Sequence, residues 1–469
     1  MYQVECLYDY YDKNQAVQPP FTANDLQISD PKRFLTTYEV KQNTRNMTIC
    51  DMGLMEVTLD INRASKVLTY LMYQYPFFSY GIEFDHKAGW LRYVQQEVQP
   101  VELQIVTQFK SLEDLASFID QASNSLNSNK LVLWELVEIQ IPEMPTVVQA
   151  LSMKVHHTLV DGVSIIALFK KFNEIYEDKS FNFVRPNPVQ ISNYRPVMSY
   201  QNQLVNFTPK VSPLPIQVTQ ITGQFKDKQF GSNLKVMDEL KIRCRHYKEE
   251  DLARIQNVQY SFSLYATYLA QFAAYAYFNE DITKDQKFVA TAVDLRREVH
   301  IQQTDFQTIL GQTATANGML VSGTISTSLQ HLADQLQSQF TNQDNSASRF
   351  WQRTLAHEVG PVSFNKGPEC SVICSNVGKM NLGVGPIVQA IGYTSYTHVW
   401  DKPILGFANS IHRGKIGTFV LEWDVQMFTI DQQTAQSLIF VKLNQMIKTK
   451  GAENVSVQNV VDLYQELFE

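Results

Sequence analysis

The sequence predicts an α/β protein of two domains, and three observations carry that reading. The chain is 469 residues long, beyond the size at which a single core usually stops growing. Segments of strand period and helix period alternate along both halves. Between them, from Asp178 to Gln224, lies a stretch with little periodicity that holds prolines 186, 188, 196, 209, 213 and 215. The expected division is therefore a first domain over 1–180, a crossover over 181–224 and a second domain over 225–469.

In the first half, Met47 to Leu59 reads as a strand. Ser65 to Tyr75 reads as a helix with Val67, Leu68, Leu71, Met72 and Tyr75 on one face, stopped by Pro76. Leu131 to Ile141 and Val147 to Val155 read as strands joined by the turn Pro142-Glu143-Met144-Pro145. Val163 to Glu177 returns to helical spacing and buries Ile165, Phe169, Phe172 and Tyr176. Beyond the proline-rich stretch come a helix over Phe262 to Phe278, a strand over Lys287 to Asp294 and a glutamine-rich helix near Thr327 to Gln339. Strands at Cys370 to Asn376 and Ile416 to Asp424 follow, and a final helical stretch starts at Asp431.

Composition narrows the function. Hydrophobic residues make up 44% and charged residues 19%, as in a globular protein with a sizeable core. A net charge of −7, with no Lys/Arg-rich block, argues against nucleic acid as a partner. The segment Ser263 to Phe278 is shorter than the ~20 residues of a membrane crossing. The N-terminus lacks the basic start and apolar run of a leader, so a cytoplasmic monomer is expected. Cysteines 6, 50, 244, 370 and 374 fit no zinc or disulfide framework. Cys370 and Cys374 read as core thiols rather than a redox pair.

The segment that carries chemistry is Ser152-Met153-Lys154-Val155-His156-His157-Thr158-Leu159-Val160-Asp161-Gly162. Strand side chains alternate between faces. His157 therefore shares the face of Leu151, Met153 and Val155, and His156 that of Ser152 and Lys154. The two rings do not converge on one metal, so no metal site is expected. A neutral imidazole at an apolar strand end, before an Asp-Gly turn, suits a general base. Asp161, four residues on, suits a support for the ring or the loop. A Ser-His-Asp triad shares this spacing, but no Gly-x-Ser-x-Gly elbow accompanies it. A histidine buried only for packing is the plain alternative.

His156-His157-x-x-x-Asp161-Gly162 resembles the signature of the CoA-dependent acyltransferase superfamily. That superfamily includes chloramphenicol acetyltransferase, alcohol acetyltransferases, plant HxxxD acyltransferases and nonribosomal peptide condensation domains. Tyr75 to Phe78, Leu133-Trp134-Glu135-Leu136, Ala292-Val293-Asp294-Leu295-Arg296 and Ser375-Asn376-Val377-Gly378 resemble family segments in the family's order. The resemblance implies two chloramphenicol acetyltransferase-like domains, each a mixed sheet with flanking helices, and a tunnel between them. It implies His157 as general base, with His156, Asp161 and Gly162 supporting the site. It also implies a pairing of Asp161 with Arg296, or failing that Arg297. Ser375 and Asn376 are candidates for hydrogen bonds to an oxyanion or the acyl donor, although Ser-Asn-x-Gly also favours a turn.

The implied co-substrate is acyl-CoA or an acyl group on carrier phosphopantetheine, with no tightly bound cofactor. The implied acceptor is a hydroxyl or amine of a small molecule, and an acyl carrier protein is the further partner considered. The plant-type Asp-Phe-Gly-Trp-Gly element has no counterpart near Thr394 to Leu405. The N-terminal motif of condensation domains has none between Tyr2 and Thr48. With no adenylation or carrier segment attached, a free-standing acyltransferase is expected. The alternatives are a carrier-dependent condensation enzyme and an inactive scaffold that keeps the fold.

Overall fold

The computed structural model describes residues 10–11, 16–21, 33–44, 46–188, 241–278, 286–294, 314–341, 362–363, 372–395, 407–424 and 430–468. The first half runs β1 (Ala16–Val17), α1 (Thr37–Thr44), β2 (Thr48–Met55), α2 (Ile61–Gln74), β3 (Tyr80–Asp85), β4 (Trp90–Gln95), β5 (Ile105–Phe109), α3 (Leu112–Asp120), β6 (Val132–Ile139), β7 (Gln149–His156) and α4 (Gly162–Glu177). The second runs β8 (Lys241–Tyr247), α5 (Tyr260–Phe278), β9 (Gln286–Asp294), β10 (Ala314–Ser322), β11 (Val362–Ser363), β12 (Val372–Lys379), β13 (Ile387–Ser395), β14 (Phe407–Arg413) and β15 (Thr418–Asp424), with α6 (Leu329–Thr341) following β10 and α7 (Ile430–Lys450) and α8 (Val457–Phe468) closing the chain.

Two mixed sheets organise these elements. The first has the order β13-β2-β7-β6-β5, and the second β10-β9-β12-β14-β15-β8. β13 is the outer strand of a sheet whose other strands all precede residue 181. It pairs antiparallel with β2, placing Gly392 opposite Asp51 and Ser395 opposite Thr48. The physical reason is plain: every residue of β2 is buried, and the backbone edge that β7 leaves open needs a partner away from water. Residues 189–240, which hold most of the expected crossover, lie outside the described residues.

Three apolar clusters hold the layers. Against one face of the first sheet, α2 and α4 bring Val67, Leu68, Leu71, Ile165, Phe169 and Phe172 to Leu151, Met153 and Val155. The opposite face packs Leu115 and Ile119 of α3 together with Ile242, Phe419 and Leu421 of the second sheet. That shared core joins the two sheets. The third cluster lies under α5, α6, α7 and α8.

Several boundaries move for local reasons. α2 starts at Ile61, not Ser65, because Asp60 caps it by accepting from the Arg63 N–H. The glutamine-rich helix starts at Leu329 and ends at Thr341. The final helical stretch is two helices, broken where Gly451 takes a φ of 81°. α1, the β3–β4 hairpin, β5, α3, β10, β13, β14 and the short or edge strands β1, β8 and β11 are additional to the elements expected from periodicity. No helix among the described residues is long and apolar enough to cross a membrane.

Candidate active site

The site grows from the end of β7. Strand pairing runs out at His156 opposite Thr48, and the His157 N–H then donates to the Met47 carbonyl at 2.8 Å. The chain turns through Thr158, Leu159 and Val160 and enters α4 at Gly162. Tyr93 of β4 steadies the turn by donating its hydroxyl to the Thr158 carbonyl at 3.0 Å.

Hydrogen bonding gives the two histidines opposite tautomers. The Thr158 N–H donates to His156 Nδ1 at 3.4 Å, and the Thr158 hydroxyl lies 2.9 Å from the same nitrogen. A backbone N–H can only donate, so His156 Nδ1 carries the lone pair and Nε2 the hydrogen. That Nε2 has no partner among the described residues. His157 Nδ1 lies 3.0 Å from the Val160 carbonyl oxygen, which can only accept. His157 Nδ1 therefore carries the hydrogen, and Nε2 keeps its lone pair. No described residue engages that Nε2, and the ring is only partly buried.

Burial pushes His156 down to about 3, with His157 beside it adding to the effect. His157 is also held below the ordinary histidine range, first by burial. The hydrogen bonds of its own and Val160's backbone and the charge of Asp161 pull the other way. Both rings are neutral at pH 7. A neutral ring with Nδ1–H fixed and Nε2 open is chemically a positioned base.

Asp161 is buried, and its described contacts are those of a helix cap. Oδ1 accepts from the Ser164 N–H and the Ser164 hydroxyl, each at 3.0 Å. This cap was not anticipated, although Asp before Gly-Val-Ser at the start of an apolar helix is a capping pattern. Arg296 and Arg297 lie outside the described residues. A Cβ added to Gly162 would have nothing within 4 Å, so packing does not demand glycine there.

Asn376 sits at an irregularity in β12, where the register to β14 shifts between Asn376 and Gly378. Its Nδ2 donates to the Ser261 hydroxyl at 2.5 Å, and its Oδ1 accepts from the Gly378 N–H at 2.8 Å. Gly378 has a φ of 77°, which favours glycine. Ser375 is partly buried opposite Ser410 of β14. No hydrogen bond among the described residues joins Ser375 or Asn376 to the His156–Gly162 turn.

The described cysteines Cys50, Cys244 and Cys374 are buried and form no disulfide among the described residues. Burial pushes the Cys50 thiol up to about 12, which leaves it unreactive at neutral pH. Cys6 and Cys370 lie outside the described residues. Among the described residues no group of three or more His, Cys, Asp or Glu is arranged to hold a metal ion.

One residue near the ring escaped sequence reasoning altogether. Gln42 of α1 is buried, and its Nε2 lies 3.5 Å from His157 Nδ1. α1 reads Thr-Tyr-Glu-Val-Lys-Gln-Asn-Thr and has no apolar stripe. Its sequence signal is the pair Thr36 and Glu39. The Thr36 N–H donates to Glu39 Oε2 at 2.7 Å and the Glu39 N–H to Thr36 Oγ1 at 3.2 Å, the reciprocal bonds of a capping box.

No protein-family profile matches the sequence, and no curated protein matches it. Solved structures do match. The first condensation domain of the calcium-dependent antibiotic synthetase, in complex with substrate analogue 3a, aligns over 92% of this chain and 98% of its own, at 13% identity and a TM-score of 0.56. The fold is that of a condensation domain. The first condensation domain of the CDA synthetase covers 95% of this chain and 99% of its own, at 11% identity and a TM-score of 0.55. Polyketide synthase associated protein 5 from Mycobacterium tuberculosis covers 90% and 99%, at 11% identity and a TM-score of 0.55. At the level of the fold these neighbours agree with the superfamily resemblance carried by the histidine segment.

Proposed function

We propose that this chain is an acyltransferase that moves an acyl group from a thioester to a hydroxyl or amine, with His157 as general base. One observation carries the reading. His157 is neutral, its Nδ1–H is committed to the Val160 carbonyl, and its Nε2 is open, on a condensation-type fold. The acceptor's O–H or N–H gives its proton to His157 Nε2 as the oxygen or nitrogen attacks the thioester carbonyl. The tetrahedral oxyanion collapses with cleavage of the C–S bond, and the departing sulfur takes the proton from Nε2. The ring returns to its starting state without a covalent enzyme intermediate.

The other residues have supporting roles. Asp161 caps α4 and so holds the turn that aims His157, with Arg296 as its proposed cationic partner. Ser375 is the candidate donor to the oxyanion. Asn376 already donates to Ser261, so its part in such a contact would require that bond to yield. The donor is proposed as acyl-CoA. The likeness of the fold to condensation domains favours, as a second reading, an acyl group carried on phosphopantetheine. The experiment is a free-thiol assay with a series of acyl-CoA and acyl-phosphopantetheinyl carrier donors against pooled alcohols and amines. Thiol release that needs both a donor and an acceptor is expected. Release with no acceptor dependence would make the chain a thioesterase and end the proposal.

A further inference from the structure

Gln42 stands apart from the residues assigned so far, yet the backbone and its side chain tie it to His157 from two directions. α1 ends in a turn in which the Met47 N–H donates to the Gln42 carbonyl at 3.0 Å and the Asn46 N–H to the Asn43 carbonyl at 2.7 Å. Asn46 takes a φ of 47°, so this is the left-handed stop of a Schellman motif. Met47 in turn accepts from the His157 N–H at 2.8 Å. Two consecutive backbone bonds therefore fix Gln42 against the residue whose ring its side chain meets at 3.5 Å.

α1 cannot readily shift. Arg33 grips Glu39 with two bonds of 2.8 and 2.7 Å, and Glu39 closes the capping box with Thr36. Both members of that pair are largely enclosed, where a bidentate guanidinium–carboxylate contact is strong and directional. α1 gives the apolar core only Val40, and its other buried side chains are polar. Its buried polar side chains point to a positional duty.

We propose that Gln42 is the positioning residue for His157, holding the ring plane and receiving part of the charge when Nε2 takes a proton; this rests on the reading of His157 as the base. With its hydrogen on Nδ1 for the Val160 carbonyl, His157 meets Gln42 Nε2 at 3.5 Å, donor against donor. Gln42 Oε1 is buried with no hydrogen-bond partner among the described residues. A half-turn of the amide exchanges Oε1 and Nε2. It gives Nδ1–H a second acceptor and satisfies the orphan oxygen in one movement. As the ring becomes an imidazolium, Nδ1–H becomes a stronger donor, and that acceptor gains most when the proton transfer occurs. A carboxylate in the same place would hold the ring equally well. It would also draw a proton onto Nε2 and take the base out of service near neutral pH. A neutral amide orients the ring without that cost.

The test uses the full chain with Gln42→Glu and Gln42→Met. The first readout is nitrogen NMR of the His157 ring across pH, assigned by its loss in His157→Ala. It needs no turnover. Gln42→Glu is expected to raise the His157 pKa by about 1 unit or more, the usual effect of an opposite charge at this range. The acidic limb of kcat/KM should move upward with it. Gln42→Met keeps the volume and removes both polar atoms. It is expected to lower kcat about tenfold, as for the loss of one hydrogen bond to a charged group, at unchanged KM and melting temperature. An unmoved His157 titration in a folded Gln42→Glu variant would overturn the proposal. If that variant does not fold, an unchanged kcat in Gln42→Met would overturn it. The NMR result reads the contact alone, whereas retained transfer in His157→Ala would end the acyl-transfer reading, so the two failures are distinguishable.

Discussion

His412 in the second sheet and the His156–His157 pair in the first show what burial supplies to a histidine and what it does not. His412 of β14 is buried, and its Nε2 donates to the Gly392 carbonyl of β13 at 2.7 Å, fastening one sheet to the edge of the other. Burial pushes it down to about 4. His156 is equally enclosed and lower still. His157 is neutral for the same reason, so neutrality does not mark a site. The distinguishing feature is that His412 Nε2 is spent on the fold, whereas His157 spends Nδ1 and leaves Nε2 open. Ser410 lies 2.8 Å from His412 Nε2 and mimics a serine–histidine pair. The Gly392 N–H also approaches that nitrogen, at 3.4 Å, but the 2.7 Å contact to the carbonyl is the shorter and places the hydrogen on Nε2, so it cannot deprotonate the serine.

Among the buried titratable groups between the sheets, Asp51 carries the largest expected effect. It lies over Gly392, opposite it across β2 and β13, and a Cβ on Gly392 would sit within 1.5 Å of its Oδ1. Burial raises its carboxyl to about 7 from an ordinary 3.8. A raised acid favours the fold below its unfolded pKa, and that contribution is lost as pH rises through the folded pKa. Asp51→Asn should therefore be more stable than the wild type at pH 8, by up to roughly 4 kcal/mol. The gap should close toward pH 4. Urea unfolding across that range checks it, and a gap independent of pH would contradict the buried, unpaired environment.

The His412 joint should behave with the opposite sign. Its folded pKa of about 4 lies below the ordinary 6.5. Its contribution is present above pH 6.5 and is lost as pH falls through 4, about 3 kcal/mol in all. His412→Gln keeps a donor near the Gly392 carbonyl and removes the titration. It should flatten the fall in stability over that window, leaving the parts due to His156 and His157. An unchanged slope would mean that the ring is not held neutral between the sheets.

Gly162→Ala is the smallest effect. The methyl group has room, and the position opens a helix, so stability should change by less than about 0.5 kcal/mol. Lost transfer at unchanged melting temperature would put a substrate against that face of the turn. A large loss of stability would contradict the open space beside it.

The legible parts of the sequence were those where one physical rule dominated. β7 and α4 could be read from period and length, although β7 ends at His156 and His157 already belongs to the turn. α1 was not legible because its burial rests on polar pairings such as Arg33 with Glu39, and polar burial leaves no apolar stripe. β14, Phe-Ala-Asn-Ser-Ile-His-Arg, escaped for a related reason, since Ser410 and His412 stand where a core strand would carry aliphatic residues. β13 belongs to a sheet built mostly from the other half, a pairing too distant for local patterning to reveal. Around the site, the histidines could be read from the motif. The tautomers could not, because they depend on the Thr158 N–H and the Val160 carbonyl after the turn has folded.

His157 Nε2 is the centre of the proposed chemistry, and the most direct measurement of its role is acceptor-dependent thiol release by His157→Ala beside the wild type. The donor should be one that the wild type uses, and circular dichroism should show both proteins folded. The expected result is a ~10²–10⁴-fold fall in turnover, the usual worth of a general base, with the melting temperature nearly unchanged. Turnover within a few-fold of the wild type in a folded His157→Ala protein would contradict the account.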